Sequence, residues 1–355
     1  MKTADSLIMV YGANGYSARL IIEELLLRKI KPILAGRNAI AIVQLANEYK
    51  CDYKIFNLAD ENVIDAALSN IHTLINCAGP FKYTAKELIE ACIRTKTNYL
   101  DITGEIPVLH LAFSMAKQAK KKGIVILPSV GFDIIPTDCL AKRLSEMMPD
   151  ATHLKLGLIN NRGKISRGTL LTTLEFLGGI GKIRREGKIV DSKLGELSIK
   201  VILKNFSFRG MSIPWGDVYS SYISTKIPNA EVYLAGSYFL IHWRKVIITF
   251  LKILKIPFIK KITAYLIKKN ITGPSKQERD SAKTFIWGRV ENAKGEMKEE
   301  VYQVMEGYNL TGKGAAVCAE CVLTNSLKPG VYTPSSAFGS SFLDQFVIKV
   351  IHKAS

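Results

Sequence analysis

Val10-Tyr11-Gly12-Ala13-Asn14-Gly15-Tyr16-Ser17-Ala18-Arg19 sits near the start of the chain, where an apolar run from Leu7 to Tyr11 breaks at a glycine. Beyond it Leu20, Ile21, Leu25 and Leu26 recur one helical turn apart. Strand, glycine turn, helix is the order in which free N–H groups at a helix N-terminus face an anion and glycines let a pyrophosphate approach the backbone. Ala18 occupies the place of a third glycine, with the smallest side chain that still lets a helix pack on a strand. Alone, the stretch also reads as a tight loop; its place at the head of a repeating series argues for a nucleotide turn.

That series continues with strands at 32–35, 53–57, 73–78, 98–102 and 124–128, alternating with helices at 17–29, 40–49, 59–68, 84–95 and 106–122. The alternation predicts an α/β fold: an N-terminal Rossmann domain, a doubly wound parallel sheet with helices on both faces. After Pro128 the rhythm changes. Longer strands are expected at 152–160, 196–204, 230–237, 284–292 and 298–306, the last two joined through Ala293-Lys294-Gly295 as an antiparallel hairpin, with helices at 169–177 and 312–326. This describes a second α+β domain on a mixed or antiparallel sheet. The expected boundaries are 1–135 for the nucleotide domain and 136–355 for a substrate and dimerisation domain, with the C-terminal helices able to pack back on the first.

Position 37 bears on which nucleotide is bound. Units that bind NAD place Asp or Glu at the end of the second strand to bond the ribose 2′-hydroxyl, whereas here the strand runs into Gly36-Arg37-Asn38. A planar guanidinium suits a 2′-phosphate, which a carboxylate would repel, so NADP(H) is preferred over NAD; the alternative is an exposed arginine capping a loop. Cys77-Ala78-Gly79-Pro80-Phe81 follows the fourth strand at the crevice outside the sheet, or is an ordinary connecting loop. The candidate cofactor residues are Gly12, Ala13, Asn14, Gly15, Tyr16, Ser17, Arg37, Asn38, Ala78, Gly79, Pro80 and Phe81. Asp60 reads as a helix N-cap in preference to an adenine contact.

With 355 residues, 48% hydrophobic and 23% charged, the composition excludes a disordered chain. The net charge of +18 is unevenly placed: residues 1–150 hold 18 Lys and Arg against 16 Asp and Glu, leaving 31 against 15 for the remainder. The N-terminus lacks the apolar core of a secretory signal, so the expected location is cytoplasmic. Six scattered cysteines read as reduced thiols, and Cys318-Ala-Glu-Cys321, the only CxxC, has no second pair or nearby histidine for a zinc site. The five histidines show no ligand spacing, so no metal is expected.

Between Glu231 and Glu278 there is no acidic residue, and Ser237 to Asn270 carries Arg244, Lys245, Lys252, Lys255, Lys260, Lys261, Lys268 and Lys269. Before Pro257 the basic residues share one arc and the apolar ones much of the rest, a basic amphipathic helix broken at proline. The stretch is too charged to span a bilayer. It could lie on an anionic membrane surface, where apolar burial and lipid attraction add, or form a helical insertion on the second domain with its lysines solvated. No aromatic stacking platform accompanies the charge, so no nucleic-acid partner is expected.

The segments GANGYSARL, LAGRN, NCAGPF, Tyr99-Leu-Asp-Ile-Thr-Gly-Glu105 and Val130-Gly-Phe-Asp-Ile-Ile-Pro-Thr-Asp138, followed by Arg167-Gly168-Thr169, Gly273-Pro274-Ser275 with Arg279, Gly307-Tyr308 with Thr311, and Gly330-Val-Tyr-Thr-Pro334, come in a characteristic order. In that order and spacing the chain resembles the saccharopine dehydrogenase-like oxidoreductases over nearly its whole length. It looks most like their lipid-associated branch, which includes trans-acting enoyl reductases. The resemblance implies an NADP(H)-dependent oxidoreductase with a Rossmann domain and a second domain for substrate and dimer contacts. It does not imply the amino acid substrate that names the family, because the several Arg or Lys clamps such a substrate needs do not stand out here.

Hydride transfer belongs to the cofactor, and the protein must supply or take one proton. Polar residues expected at the crevice are Tyr83, Asp101, Glu105, Asp133, Asp138 and Thr169, of which Tyr83, Asp133 and Glu105 are the catalytic candidates. Asp133 equally suits a hinge role at the exit from the last parallel strand, and Glu105 a first-turn helix carboxylate. The leading reading is an NADPH-dependent reductase of a C=C, C=O or C=N bond in a lipid-like or thioester-borne small molecule, with peripheral membrane contact through 237–270 and possible homodimerisation. The alternatives are a saccharopine-type amino acid dehydrogenase and a non-enzymatic lipid-surface protein that retains its cofactor site.

Overall fold

The computed structural model describes residues 8–161, 164–176, 180–324 and 326–354. The expected strand start at Leu7 and helix end at Leu177 lie outside them. The first elements run β1 Ile8–Tyr11, α1 Tyr16–Leu27, β2 Ile33–Gly36, α2 Ala39–Tyr49, β3 Tyr53–Ile55, α3 Glu61–Leu68 and β4 Thr73–Asn76. They continue with α4 Ala85–Thr95, β5 Asn98–Asp101, α5 Ile106–Ser114, α6 Ala116–Lys122 and β6 Val125–Leu127. β1, β2 and β4 are buried along their whole length, as a strand must be when covered on both faces. α1 buries Ala18, Ile21, Ile22 and Leu25, the stripe expected of its repeat. Asn38 and Asp60 cap α2 and α3, their side chains accepting from the amides of Ala41 and Asn62.

The single helix expected over 106–122 is two. α5 ends where the Ser114 hydroxyl donates back to the Leu111 carbonyl at 2.7 Å, taking an acceptor the helix would use.

Beyond β6 come α7 Ile135–Met147, β7 Ala151–Asn161, α8 Arg167–Phe176, β8 Ile180–Arg185, β9 Lys188–Lys193, β10 Ser198–Leu203 and β11 Phe206–Ser212. α9 Asp217–Thr225, β12 Asn229–Ala235, α10 Tyr238–His242, α11 Arg244–Leu251, α12 Pro257–Asn270, α13 Lys276–Ser281, β13 Lys283–Asn292 and β14 Met297–Val304 follow. α14 Gly307–Leu323, β15 Gly330–Val331 and β16 Val347–His352 close the chain. The expected break at Pro257 is present: a 3₁₀ turn at Lys252–Lys255 separates α11 from α12, which starts at the proline. The side chains of Arg244, Lys245, Lys252 and Lys255, half of the basic set read from the sequence, lie outside the described residues. No helix among the described residues is long and apolar enough to cross a membrane.

Two compact units result, one reaching Asp133 and completed by Gly307–Ala337, the other made of Ile134–Glu306 and Phe338–Ser355. The first is the expected parallel sheet, in the order β15-β6-β5-β4-β1-β2-β3. It has seven strands instead of six, because β15 adds to the edge of β6. α14 joins this unit by lying against α1 at Gly312, where an added Cβ would stand 3.1 Å from Cβ of Leu20 and 3.2 Å from its carbonyl oxygen. Arg28 and Glu320 tie the same two helices at 2.6 Å. The second unit holds a nine-stranded sheet, β10-β11-β12-β7-β13-β14-β16 with β8 and β9 attached through β12. β12 and β7 are parallel and β13–β14 is the expected hairpin, so the sheet is mixed.

Candidate active site

In the parallel sheet the strand order reverses between β1 and β4, and ligands of open α/β sheets bind outside the carboxyl ends of the strands at such a point. The Gly12 turn leaves β1 there, and the Cys77–Phe81 loop leaves β4 beside it. Gly12 has φ +78°, and an added Cβ would lie 2.8 Å from the Ala78 amide nitrogen. No L-residue side chain fits, so the glycine fixes how closely the two loops approach. The amides of Gly12 and Ala13 both donate to the Ala35 carbonyl, at 2.8 and 3.1 Å, and that of Gly15 to the Gly12 carbonyl at 2.9 Å. Gly15 is the N-cap of α1 and brings no side chain to its first turn, which also lacks an acidic residue. First-turn amides have no acceptor within a helix, so this end suits an anion. Tyr16, at the start of α1, meets the Tyr308 ring edge-on at 4.9 Å.

Arg37 stands exposed just past β2, with no ion pair to it among the described residues, and its charge reaches Tyr11 at the end of β1. Asn38 spends its side-chain oxygen on the α2 cap.

A network of side chains holds the second loop. Asn76 accepts from the Ala78 amide at 3.0 Å and donates to the hydroxyls of Thr84 at 3.1 Å and Tyr99 at 3.2 Å. Thr84 in turn donates to the Ala78 carbonyl at 2.8 Å. The amides of Phe81 and Lys82 donate to the two oxygens of Glu105, at 2.8 and 3.0 Å. Glu105 stands at the N-cap position of α5, but its buried side chain clamps the short 3₁₀ turn Phe81–Tyr83 instead of capping that helix. Tyr83, on that turn, is 61% exposed. Its ring lies 4.6 Å from the Lys82 ammonium.

Asp101 is buried and accepts from the Tyr99 hydroxyl and from the amides of Thr103 and Ser129, all within 3.0 Å. Burial nevertheless raises its pKa to about 6 against the pull of those donors. Asp133 is half-buried against Gly104, where an added Cβ would lie 2.9 Å from its carboxylate. Burial first, and the Glu105 charge second, push its pKa up to about 7. At the neighbouring residue, the Phe132 amide donates to the Thr311 hydroxyl at 3.0 Å.

The structure therefore gathers the glycine turn, Arg37, residues 77–83, Asp101, Glu105 and Asp133 in one unit. Asp138 departs from expectation: it is buried in the second unit, accepts from Ser224 at 2.8 Å and packs in α7 as a structural group. Thr169 is exposed at the start of α8 in that unit, paired with Ser166 at 3.1 Å. Sequence reasoning missed the Asn76–Thr84–Tyr99 network, whose only signal was its polar residues at the ends of buried strands. Cys318 and Cys321 lie on α14 as free thiols, the first pushed well above its usual pKa by burial. No cluster of His, Cys, Asp or Glu among the described residues is placed to hold a metal.

Residues 8–127 match the family model described as the saccharopine dehydrogenase NADP binding domain. The matched stretch runs from β1 to β6, about a third of the chain. Its cofactor is NADP(H), and the geometry agrees: a glycine-lined approach, an uncapped helix N-terminus and an unpaired arginine past β2. The chain is 25% identical over 190 residues to the saccharopine dehydrogenase-like oxidoreductase of Bos taurus, a match covering 48% of this chain and 40% of that one. It is 28% identical over 139 residues to the trans-acting enoyl reductase of Mycobacterium leprae, covering 37% of this chain and 33% of the relative. The chain thus spans less than half the length of these two relatives. Against the lipid droplet localized protein of Caenorhabditis elegans it is 23% identical over 94% of both. The apo saccharopine dehydrogenase (L-Glu forming) of Saccharomyces cerevisiae has the same fold, with a TM-score of 0.67 at 14% identity over 98% of this chain and 100% of that one.

Proposed function

We propose that the chain is an NADPH-dependent reductase that delivers a hydride and a proton across a C=C, C=O or C=N bond of a lipid-like or thioester-borne substrate. One observation carries the cofactor half of this reading: at the end of β2 stands an exposed Arg37 where an NAD site would place a carboxylate. The likeness to an enoyl reductase and a lipid droplet localized protein supports the substrate class.

When bound, the cofactor supplies the hydride. The chain's own residues do the rest. Tyr16 and Ser17 would offer first-turn amides of α1 to the pyrophosphate, with Asn14 in the turn before them and Gly12, Ala13 and Gly15 shaping the approach. Arg37 and the side-chain amide of Asn38 would receive the 2′-phosphate. Ala78, Gly79, Pro80 and Phe81 form the wall beside the reacting end, and Glu105 holds that wall by its grip on two amides. Asp133 is the proton donor: its carboxyl, raised to about 7, is protonated in about half the molecules at neutral pH and can both give and regain its proton. Tyr83, exposed on the 3₁₀ turn, carries a hydroxyl able to meet a substrate.

Calorimetric titration with NADPH and NADH tests the reading. The wild type is expected to prefer NADPH, and Arg37→Ala to lose about 10- to 100-fold in NADPH affinity while leaving NADH unchanged. A preference for NADH that Arg37→Ala does not move overturns it. The reading extends to residues 237–270 as a peripheral contact with anionic membrane, consistent with their freedom from acidic residues.

A further inference from the structure

α12 runs for 14 residues without burying one of them. Amphipathic helices of soluble proteins turn an apolar stripe toward the core. Here Phe258 is 72% exposed, Ile262 44%, Tyr265 63% and Leu266 49%. Their spacing of i, i+4, i+7 and i+8 places them within about 100° of arc on one side of the helix. Toward the adjoining arc lie the half-buried Ile259, Thr263 and Ile267, and the helix packs against α8. The apolar stripe is thus the face turned to solvent, not the face turned to the protein.

Charge names what covers it. Lys261 and Lys268 are exposed along one border of the stripe, about 80° or less from its edge, and Lys269 emerges within it at the last turn, where a long stem can lie along apolar surface and keep its ammonium at a polar boundary. No acidic residue occurs between Glu231 and Glu278 to neutralise them. An apolar strip bordered by uncompensated ammonium groups matches an interface with hydrocarbon below and negative headgroups above. We infer that α12 lies in the plane of an anionic phospholipid surface with Phe258, Ile262, Tyr265 and Leu266 inserted and Lys261, Lys268 and Lys269 on headgroup phosphates. This rests on the membrane contact proposed above and names its inserting face.

Flotation of the full chain with vesicles of 30% phosphatidylserine in phosphatidylcholine, against pure phosphatidylcholine, tests it. The wild type is expected to float with the anionic vesicles and to be released by high salt. The variant Phe258→Ser/Tyr265→Ser/Leu266→Ser is expected to lose about 10-fold or more in partitioning, and Lys261→Glu/Lys268→Glu/Lys269→Glu likewise, with NADPH affinity and thermal midpoint unchanged in both. If the wild type floats and the serine variant floats equally, the inserting face is wrong while membrane contact stands. If the wild type stays in solution with anionic vesicles, both fail. Should the serine variant instead convert a dimer to a monomer by light scattering without changing flotation, the stripe is a self-association surface and the inference is overturned.

Discussion

The crevice of the parallel sheet and the segment from α10 to α12 use the same kinds of residue in opposite ways. At the crevice, polar groups are buried and committed: Asp101 accepts three donors within 3.0 Å, Glu105 two, and Asn76 bonds three partners. In α12 the large apolar groups are exposed, and none of its residues is buried. A buried polar group without a partner costs about 1–3 kcal/mol, so the bonds made by Asn76, Asp101 and Glu105 hold the crevice to one shape. Exposed apolar area carries no such constraint and remains available to another surface. One region is preorganised for a small ligand; the other leaves apolar surface that the proposed lipid contact would cover.

The sharpest way to break that contrast is at Gly12. A Cβ there meets the Ala78 amide nitrogen at 2.8 Å, on a backbone with φ +78°. Gly12→Val is expected to destabilise the protein by about 2–4 kcal/mol through overpacking and backbone strain together. NADPH binding should vanish as the two loops separate. Thermal unfolding with a parallel NADPH titration checks this, and an unchanged midpoint with unchanged affinity would show that the crevice is not rigid.

Asp133 offers a smaller, pH-dependent test. Its pKa in the folded state, about 7, lies above the usual 3.8, so the folded protein holds this proton more tightly than the unfolded chain. The stability it contributes is full below pH 3.8 and is lost as pH rises through 7. Asp133→Asn keeps the shape and removes the titration. Its midpoint relative to wild type should therefore rise by several degrees, about 2–3 kcal/mol, between pH 5 and pH 8. A constant difference across that range would mean that Asp133 is not the proton-holding group.

How far these regions could be read from sequence follows the range of the forces involved. The β1 turn, the strand alternation and Arg37 depend on neighbours within a few positions, and they were legible. So was the cap Asp60, which acts over two residues, whereas Asn38, read only as a cofactor contact, also caps α2. Glu105 stood as a catalytic candidate with a first-turn helix carboxylate as its alternative, and its hold on the amides of Phe81 and Lys82 was hidden because they lie more than twenty residues away. Residues 307–337 join the first unit through packing that no local pattern announces, Gly312 against Leu20 among it. α7 had signals that the reading passed over: Pro136 at its start, Asp138 in the first turn, and Leu140 and Leu144 one turn apart. Asp138 was then mistaken for a crevice acid because its partner Ser224 comes from a distant helix. β8 and β9 are short, partly exposed strands in which Lys, Arg and Gly interrupt the alternation, so their period was hidden.

The smallest expected effect is the most discriminating. Phe258 and Phe346 are the same side chain in the same unit, the first 72% exposed and the second fully buried. Truncating a buried phenylalanine removes its transfer free energy and leaves a cavity, so Phe346→Ala should cost about 3–5 kcal/mol. Phe258→Ala removes a ring that already faces water, and its cost should stay within about 0.5 kcal/mol. Denaturant unfolding of the two variants in the absence of lipid measures the difference. A cost at Phe258 approaching that at Phe346 would mean that α12 spends its apolar stripe inside the isolated protein, leaving nothing to insert elsewhere. A near-zero cost, with anionic vesicles then protecting the wild type but not the variant against unfolding, would show that the stripe gains its energy only when a lipid surface is present.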